Sequence, residues 1–423
     1  MSEKHIDRSG LDRRSLLRTA GALAAGSVVS TALTGTAGAE ATGSDWVQHQ
    51  ADEGNTGHHT DVSPPTADPS VAWSYETEDT PLFEQTDHNP FQSNVVVVDG
   101  TAYAACSKGL FAFDTADGSV EWTFYPGTKW SQADALAHSG DAILASRWNY
   151  LTAHDPGDGS ILWSYETSSE TGDGPSPGVP TVSYGITFIA ARTGIRALDS
   201  YDGSVYWQYS DLNSEPDPAL VGDYLYHWPV VEHQEGVVAI QSENDVLHAV
   251  DPFDGTLRWT ADVGDGSTVN TPTPAATDGT IYVVDNRPER GFVRAIDAAD
   301  GSELWATGLS GRMTTSPAVA DGKVYVTSQT GSSFHAIDAS SGTVDWTANV
   351  QYRAEGSPVV ADGHVYLGLD FGKLLAFDTA DGTQTISLSL SGTGDDGVTW
   401  PAALQDGAIF TAVGDKLHKL TGE

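Results

Sequence analysis

From about residue 70 onward the chain is a succession of short apolar runs broken by turn residues. Ser316-Pro-Ala-Val-Ala320, then Asp321-Gly322, then Lys323-Val-Tyr-Val-Thr327 reads as strand, tight turn, strand. The same hairpin recurs at Val95–Ala104, Ala135–Leu144, Val179–Ile189, Val230–Ile240, Pro274–Val284, Pro358–Leu367 and Ala402–Thr411, which makes eight. Repeated strand, turn and strand along the chain predict an all-β protein.

A second pattern follows each hairpin. Ala-x-Asp, a Gly four residues later and a Trp four beyond that recur with Asp114 and Trp122, Asp155 and Trp163, Asp199 and Trp207, Asp251 and Trp259, Asp297 and Trp305, and Asp338 and Trp346. A seventh copy, at Asp378, has Ile386 in the Trp position. The Trp spacings are 41, 44, 52, 46 and 41 residues, the length of a four-stranded unit. Each Asp serves a turn whose Gly takes a positive φ, and each Trp falls on an outer strand where it packs between sheets. Eight hairpins but seven such units leave one unit split. The chain's last apolar run, Leu417–Leu420, supplies a third strand, and Val71–Thr77 carries the missing Trp73 ahead of every hairpin. Pairing the two closes a ring without open edges. The expectation is an eight-bladed β-propeller over residues 70–423, preceded by a polar lead-in at 40–69.

Residues 1–39 read as an export signal. Arg13-Arg14 precedes a weakly apolar run at 20–29 and small residues at Ala37-Gly38-Ala39, the layout of a twin-arginine signal. No Cys follows the run, which argues against a lipid anchor, and the run is short for a membrane span. The whole chain carries 20 basic and 58 acidic residues, net −38; beyond residue 39 the balance is 15 against 55. Such a charge repels nucleic acid. Spread along the entire chain, it reads as adaptation to a salty medium, where screening shortens the reach of the repulsion.

The Ala-x-Asp…Gly…Trp copies resemble the repeats of the pyrroloquinoline-quinone-type propeller superfamily, and Trp46…Asp52-Glu-Gly-Asn-Thr-Gly57 is similar to the start of its small secreted members. The resemblance covers residues 45–423. It implies the propeller fold and leaves two functional classes, quinone-dependent dehydrogenases and non-catalytic scaffolds. In the catalytic class the quinone (PQQ) sits on Ca²⁺ held by oxygen ligands, an Asp is the base and two adjacent Cys stack on the cofactor. Here Cys106 stands alone and no catalytic residue transfers. Short acidic stretches in the top connections, at Glu243, Asp245, Glu355, Asp370, Asp395 and Asp396, are the oxygen-donor candidates.

Strand order puts the Asp-Gly turns on one face and the longer, varied connections on the other, here called the top. Ten of the fifteen basic residues fall in top connections: Lys108, Lys129, Arg147, Arg192, Arg287, Arg290, Arg312, Arg353, Lys373 and Lys416. Trp130, Trp148, Trp228 and Trp400 lie there too, with His227 beside Trp228. Arginine forks and aromatic faces suit an anionic, planar or sugar-like ligand, or a protein surface. The candidate binding residues are therefore Trp130, Arg147, Trp148, Arg192, His227, Trp228, Arg287, Arg312, Arg353 and Trp400. The expected role is a non-catalytic binding or scaffold protein; the alternatives are an alcohol- or sugar-oxidising quinoprotein and a polysaccharide-binding surface protein. His49, His58 and His59 lie in the lead-in without ligand-spaced carboxylate or thiol neighbours, so no metal site is assigned.

Overall fold

The computed structural model describes residues 45–422 except 78–90, 92, 107–108, 126–132, 148–149, 168–177, 192–193, 211–228, 242–244, 265–271, 288–289, 314, 329–331, 355 and 392–401. Eight four-stranded antiparallel sheets form a ring. Blade 1 consists of Val96–Val98, Thr101–Cys106, Gly109–Asp114 and Val120–Phe124, ordered from the axis outward. Blades 2 to 7 repeat this order, beginning at Ala133, Thr181, Val230, Ala275, Ala318 and Val359. Blade 8 takes its inner three strands from Ala403–Gln405, Ala408–Val413 and Lys416–Thr421, and its outer strand from Ser70–Glu76. Trp73 pairs with Lys419 and Tyr75 with Leu417, the expected closure.

The inner strands are packed on both faces by neighbouring blades. They are therefore continuously apolar, as in Val359-Val-Ala361 and Ala408–Val413, both wholly buried. Outer strands alternate, with Val344, Asp345 and Thr347 exposed and Trp346 buried.

The repeat residues act as a clasp between blades. Gly118, Gly159, Gly203, Gly255, Gly301, Gly342 and Gly382 all have φ between 71° and 78°. A Cβ on any of them would sit within 2.7 Å of the Trp ring of the preceding blade. The indole of each Trp also donates to the carbonyl just after the repeat Asp of the next blade. Trp122 bonds Pro156 at 2.7 Å, Trp207 bonds Pro252 at 2.9 Å and Trp346 bonds Thr379 at 3.0 Å. Trp73 does the same across the seam, reaching the Thr115 carbonyl at 3.1 Å. The Asp carboxylates hold the turn itself: Asp114 Oδ1 accepts from the Ala116 amide, and Asp117 Oδ1 from the Ser119 amide.

This geometry accounts for Ile386. It faces blade 8, whose outer strand comes from the other end of the chain, so no turn joins the third and fourth strands there. With no turn carbonyl or glycine to receive an indole, Trp has no advantage at that position. Where blade 8 meets blade 1, aromatic packing adds to the Trp73 clasp: Tyr75 lies 4.9 Å from Phe113, and within blade 8 Trp73 lies 6.0 Å from Phe410.

The lead-in is not a tail. Residues 45–63 run around the axis and bond every blade in turn, satisfying inner-strand groups that face no neighbouring strand. Trp46 and Val97 exchange two backbone bonds in blade 1, and the His138 amide of blade 2 donates to Val47. The Val182 amide of blade 3 donates to the Gln48 side chain. Val231, Ala276, Val319 and Val360 of blades 4 to 7 donate to the carbonyls of Glu53, Gly54, Thr56 and Gly57, and Gly407 of blade 8 to that of Ser63. We call this segment the belt. Its glycines are dictated by proximity: a Cβ on Gly54 would lie 2.2 Å from the Ala276 oxygen, and one on Gly57 2.8 Å from that of Pro358.

Candidate functional site

The two ends of the ring differ chemically. The belt bonds the ends of the inner strands next to the Asp-Gly turns, so it occupies the lower end of the axial channel. Trp46, Gln48, His49, Gln50, Asn55, Thr56 and His59 are all buried. His59 Nε2 lies 2.9 Å from the Asp45 carbonyl, and its ring stacks on Trp46. Burial lowers the His49 pKa to about 3, and a neutral ring results. Asp52 is the counterpart. Burial raises its pKa to about 7, against the opposing effect of hydrogen bonds from the Thr56 hydroxyl and amide and with help from the nearby Glu53 charge. The three lead-in histidines thus all lie within the belt, and His59 is the one whose ring contacts are seen to hold it. On the lower face Glu53 also meets His233 Nε2 at 2.5 Å, while His233 Nδ1 bonds the Tyr184 hydroxyl at 2.7 Å.

At the top end the strand termini bring up Arg147, Arg287, Arg312 and Arg353 of the candidate set. Trp130, Trp148, Arg192, His227, Trp228 and Trp400 lie outside the described residues. The described four are not equivalent. Arg147 is half-buried over the Tyr150 ring, 5.2 Å from its centroid, and burial pushes its pKa down. Arg287 forks onto the fully buried Asp285, with Nε at 3.0 Å and Nη2 at 2.7 Å. Arg294 reaches the same carboxylate at 3.1 Å. Arg287, Arg290 and Arg294 place their guanidinium carbons 5.0, 5.0 and 5.3 Å from the Phe292 centroid. Residues 290, 292 and 294 share one strand face, which brings two of the three cations to the ring, and Arg287 reaches it from the connection before the strand. Arg312 is half-buried and Arg353 exposed. Of these features the sequence had pointed to the basic residues in the top connections; the Phe292 cluster was marked only by a period of two in Arg290-x-Phe-x-Arg294.

Among the described residues, Asp245 is buried and Asp370 lies on the top turn of blade 7; Glu243, Glu355, Asp395 and Asp396 lie outside them. The one thiol, Cys106, is buried in the core shared by blades 1 and 8. The vicinal thiols that catalytic relatives stack on the quinone have no counterpart here. Among the described residues no helix is long and apolar enough to cross a membrane.

Comparison with known proteins agrees with this architecture. A family model described as Outer membrane protein assembly factor BamB matches residues 26–217, 226–291 and 289–400. The outer membrane protein assembly factor BamB of Moranella endobia is 24% identical over 238 residues, 50% of this chain and 57% of that protein. The match thus spans little more than half of that relative's length. The crystal structure of BamB from Moraxella catarrhalis superposes with a TM-score of 0.63 at 16% identity, covering 84% of this chain and 100% of that one. The quinohemoprotein alcohol dehydrogenase of Comamonas testosteroni superposes with a TM-score of 0.69 at 15% identity, covering 89% and 80%. Likeness at these identities concerns the fold, which an assembly factor and an enzyme share. The family model, by contrast, matches most of the sequence, and the chain belongs to the PQQ-like β-propeller family of outer membrane protein assembly factor BamB.

Proposed function

We propose that this chain is an exported, non-catalytic propeller that holds a protein partner against its top face. The observation that carries the reading is the asymmetry of the ring. The lower end of the axis is occupied by the belt, and the lower turns are engaged by the indole clasps. In a chain of net charge −38, the sequence pattern assigns ten of the fifteen basic residues beyond residue 39 to the top end, and among the described residues Arg147, Arg287, Arg290, Arg312, Arg353, Lys373 and Lys416 stand in those connections or at the strand ends beside them. Binding residues concentrate in such varied loops on a rigid scaffold. The family's assembly-factor members lend the partner its class, a protein. The twin-arginine start supplies the export route, and the dispersed acidity suits a salt-rich exterior.

Site-directed photo-crosslinking in cells that express the chain tests this. A photoreactive residue at Arg147, Arg312 or Arg353 should yield a discrete protein adduct, and one at Asp117, Asp158 or Asp300 on the lower face should not. Adducts confined to the lower face would refute the reading. Dye-reducing turnover by purified protein supplied with the quinone and Ca²⁺ would establish the dehydrogenase alternative instead.

A further inference from the structure

The top rim of blade 7 bears an aromatic pair that the core does not use. The connection leaving blade 6 lies against the turn between the second and third strands of blade 7. Ala354 bridges Leu369, and the Asp370 amide donates to the Arg353 carbonyl at 2.9 Å. These bonds set Tyr352 and Phe371 edge to face, centroids 5.8 Å apart at 66°. Phe371 is 65% exposed and Tyr352 37%. Phe371 also holds a left-handed backbone, φ 60° and ψ 31°, a conformation in which Gly or Asn is far cheaper than an aromatic residue. A ring this exposed on a disfavoured backbone gains little from folding beyond its contact with Tyr352. Tyr201, equally exposed at 66%, differs in having no ring or cation beside it among the described residues.

The pair has basic company. Lys373 Nζ lies 5.9 Å from the Tyr352 centroid, bonded to the Ser389 hydroxyl, and Arg353, next to Tyr352 in the chain, is exposed. Asp370 is the acid on the same turn. Aromatic and arginine side chains grouped at an exposed notch are the composition of an interface anchor.

We propose that this corner anchors the partner by taking an aromatic side chain flanked by carboxylates, the ring entering the Tyr352–Phe371 notch and the carboxylates meeting Arg353 and Lys373. The inference rests on the top-face reading and names the chemistry it recognises. The crossed rings favour a peptide side chain over a sugar: they form a notch instead of a flat shelf, and Lys373 stands over the Tyr352 ring.

The test is fluorescence anisotropy with a labelled, end-blocked peptide containing Asp-Trp-Asp, using the full chain in about 1 M salt, where the general repulsion of the acidic surface is screened. Phe371→Gly is the chosen variant because it removes the ring while suiting the left-handed backbone, so the fold is retained. Binding should weaken about tenfold in Phe371→Gly and with Asp-Ala-Asp in place of the probe, and about twofold with Lys-Trp-Lys, because the same salt also screens the contacts to Arg353 and Lys373. No binding to the parent, equal binding by the variant, equal binding of the Lys-Trp-Lys peptide, or retention of maltoheptaose that is lost in Phe371→Gly would each overturn the proposal. Crosslinking from Arg147 separates this from the broader reading. An undiminished adduct in Phe371→Gly discards the anchor and leaves the top face standing, whereas no top-face adduct in the parent discards both.

Discussion

The interblade clasp can be measured at Trp207. Its ring is 8% exposed, its indole donates to Pro252 at 2.9 Å, and its Cε3 would meet a Cβ on Gly255 at 2.5 Å. Burial of a Trp side chain of 150–250 Å² at ~25 cal/mol per Å² is worth roughly 4–6 kcal/mol, of which Ala would retain part. The lost hydrogen bond adds about 1 kcal/mol, and large-to-small replacements of this kind cost about 3–5 kcal/mol in practice. Trp207→Ala should therefore destabilise by about 4 kcal/mol. Denaturant titration reads this as a lower midpoint at unchanged slope. Gly255→Ala should be costly by itself, through both the 71° φ and the clash with the ring. In the double variant the clash is gone, so the two losses should fall short of additivity by about 1 kcal/mol or more. Ile386→Trp completes the set. It brings an indole to the one blade boundary without an accepting turn and should stabilise nothing, and in so tight a site it should cost about 1–3 kcal/mol. A Trp207→Ala loss below about 1 kcal/mol, strict additivity with Gly255→Ala, or a gain from Ile386→Trp would refute the clasp.

Three further outcomes are expected. The Asp52 pKa is raised to about 7, so its contribution is full below the unfolded value near 3.8 and is lost as pH rises through about 7; that of His49, lowered to about 3, is full above 6.5 and is lost as pH falls toward 3. Asp52→Asn should thus steepen the rise of stability between pH 4 and 6.5, and His49→Gln should reverse it, both read as denaturation midpoints against pH; parallel profiles would contradict the burial argument. Gly54→Val should unseat the belt, and hydrogen exchange should quicken at the amides of Val231, Ala276 and Val319 before the outer strands respond; uniform quickening would mean the belt is not a separate element. Raising salt from about 0.1 to 2 M should raise the midpoint, because the repulsion of a −38 chain is screened; a falling midpoint would remove the salt-adaptation reading.

The ring was legible because its information is repeated. Trp73 stood ahead of every hairpin with no unit of its own, and that orphan residue located the seam at Lys419 and Leu417. Ile386, in the Trp position of the seventh copy, has no explanation in the sequence, and blade 8's split origin shows what a Trp there would lack. The belt was not legible. Its bonds run almost entirely through backbone carbonyls of Val47, Glu53, Gly54, Thr56 and Gly57, and a segment rich in His, Gln, Asp and Gly reads as solvent-exposed. Its one readable trace was the pair of glycines, whose spacing records close approach to blades 5, 6 and 7. Phe371 was equally hidden, since neither exposure nor a left-handed backbone has a periodicity. The basic residues of the top connections were visible by type, but pattern could not reveal that Arg287 and Arg294 share one buried carboxylate.

The belt also bears on how such a ring can change. It meets blades 1 to 8 in order within residues 46–63, each at a different residue. A duplicated or deleted blade would throw every later contact out of step, setting each belt residue beyond that point against the wrong neighbour. The segment therefore works as a tally stick: it counts to eight and fixes the copy number of a repeat that sequence duplication could otherwise lengthen or shorten at will.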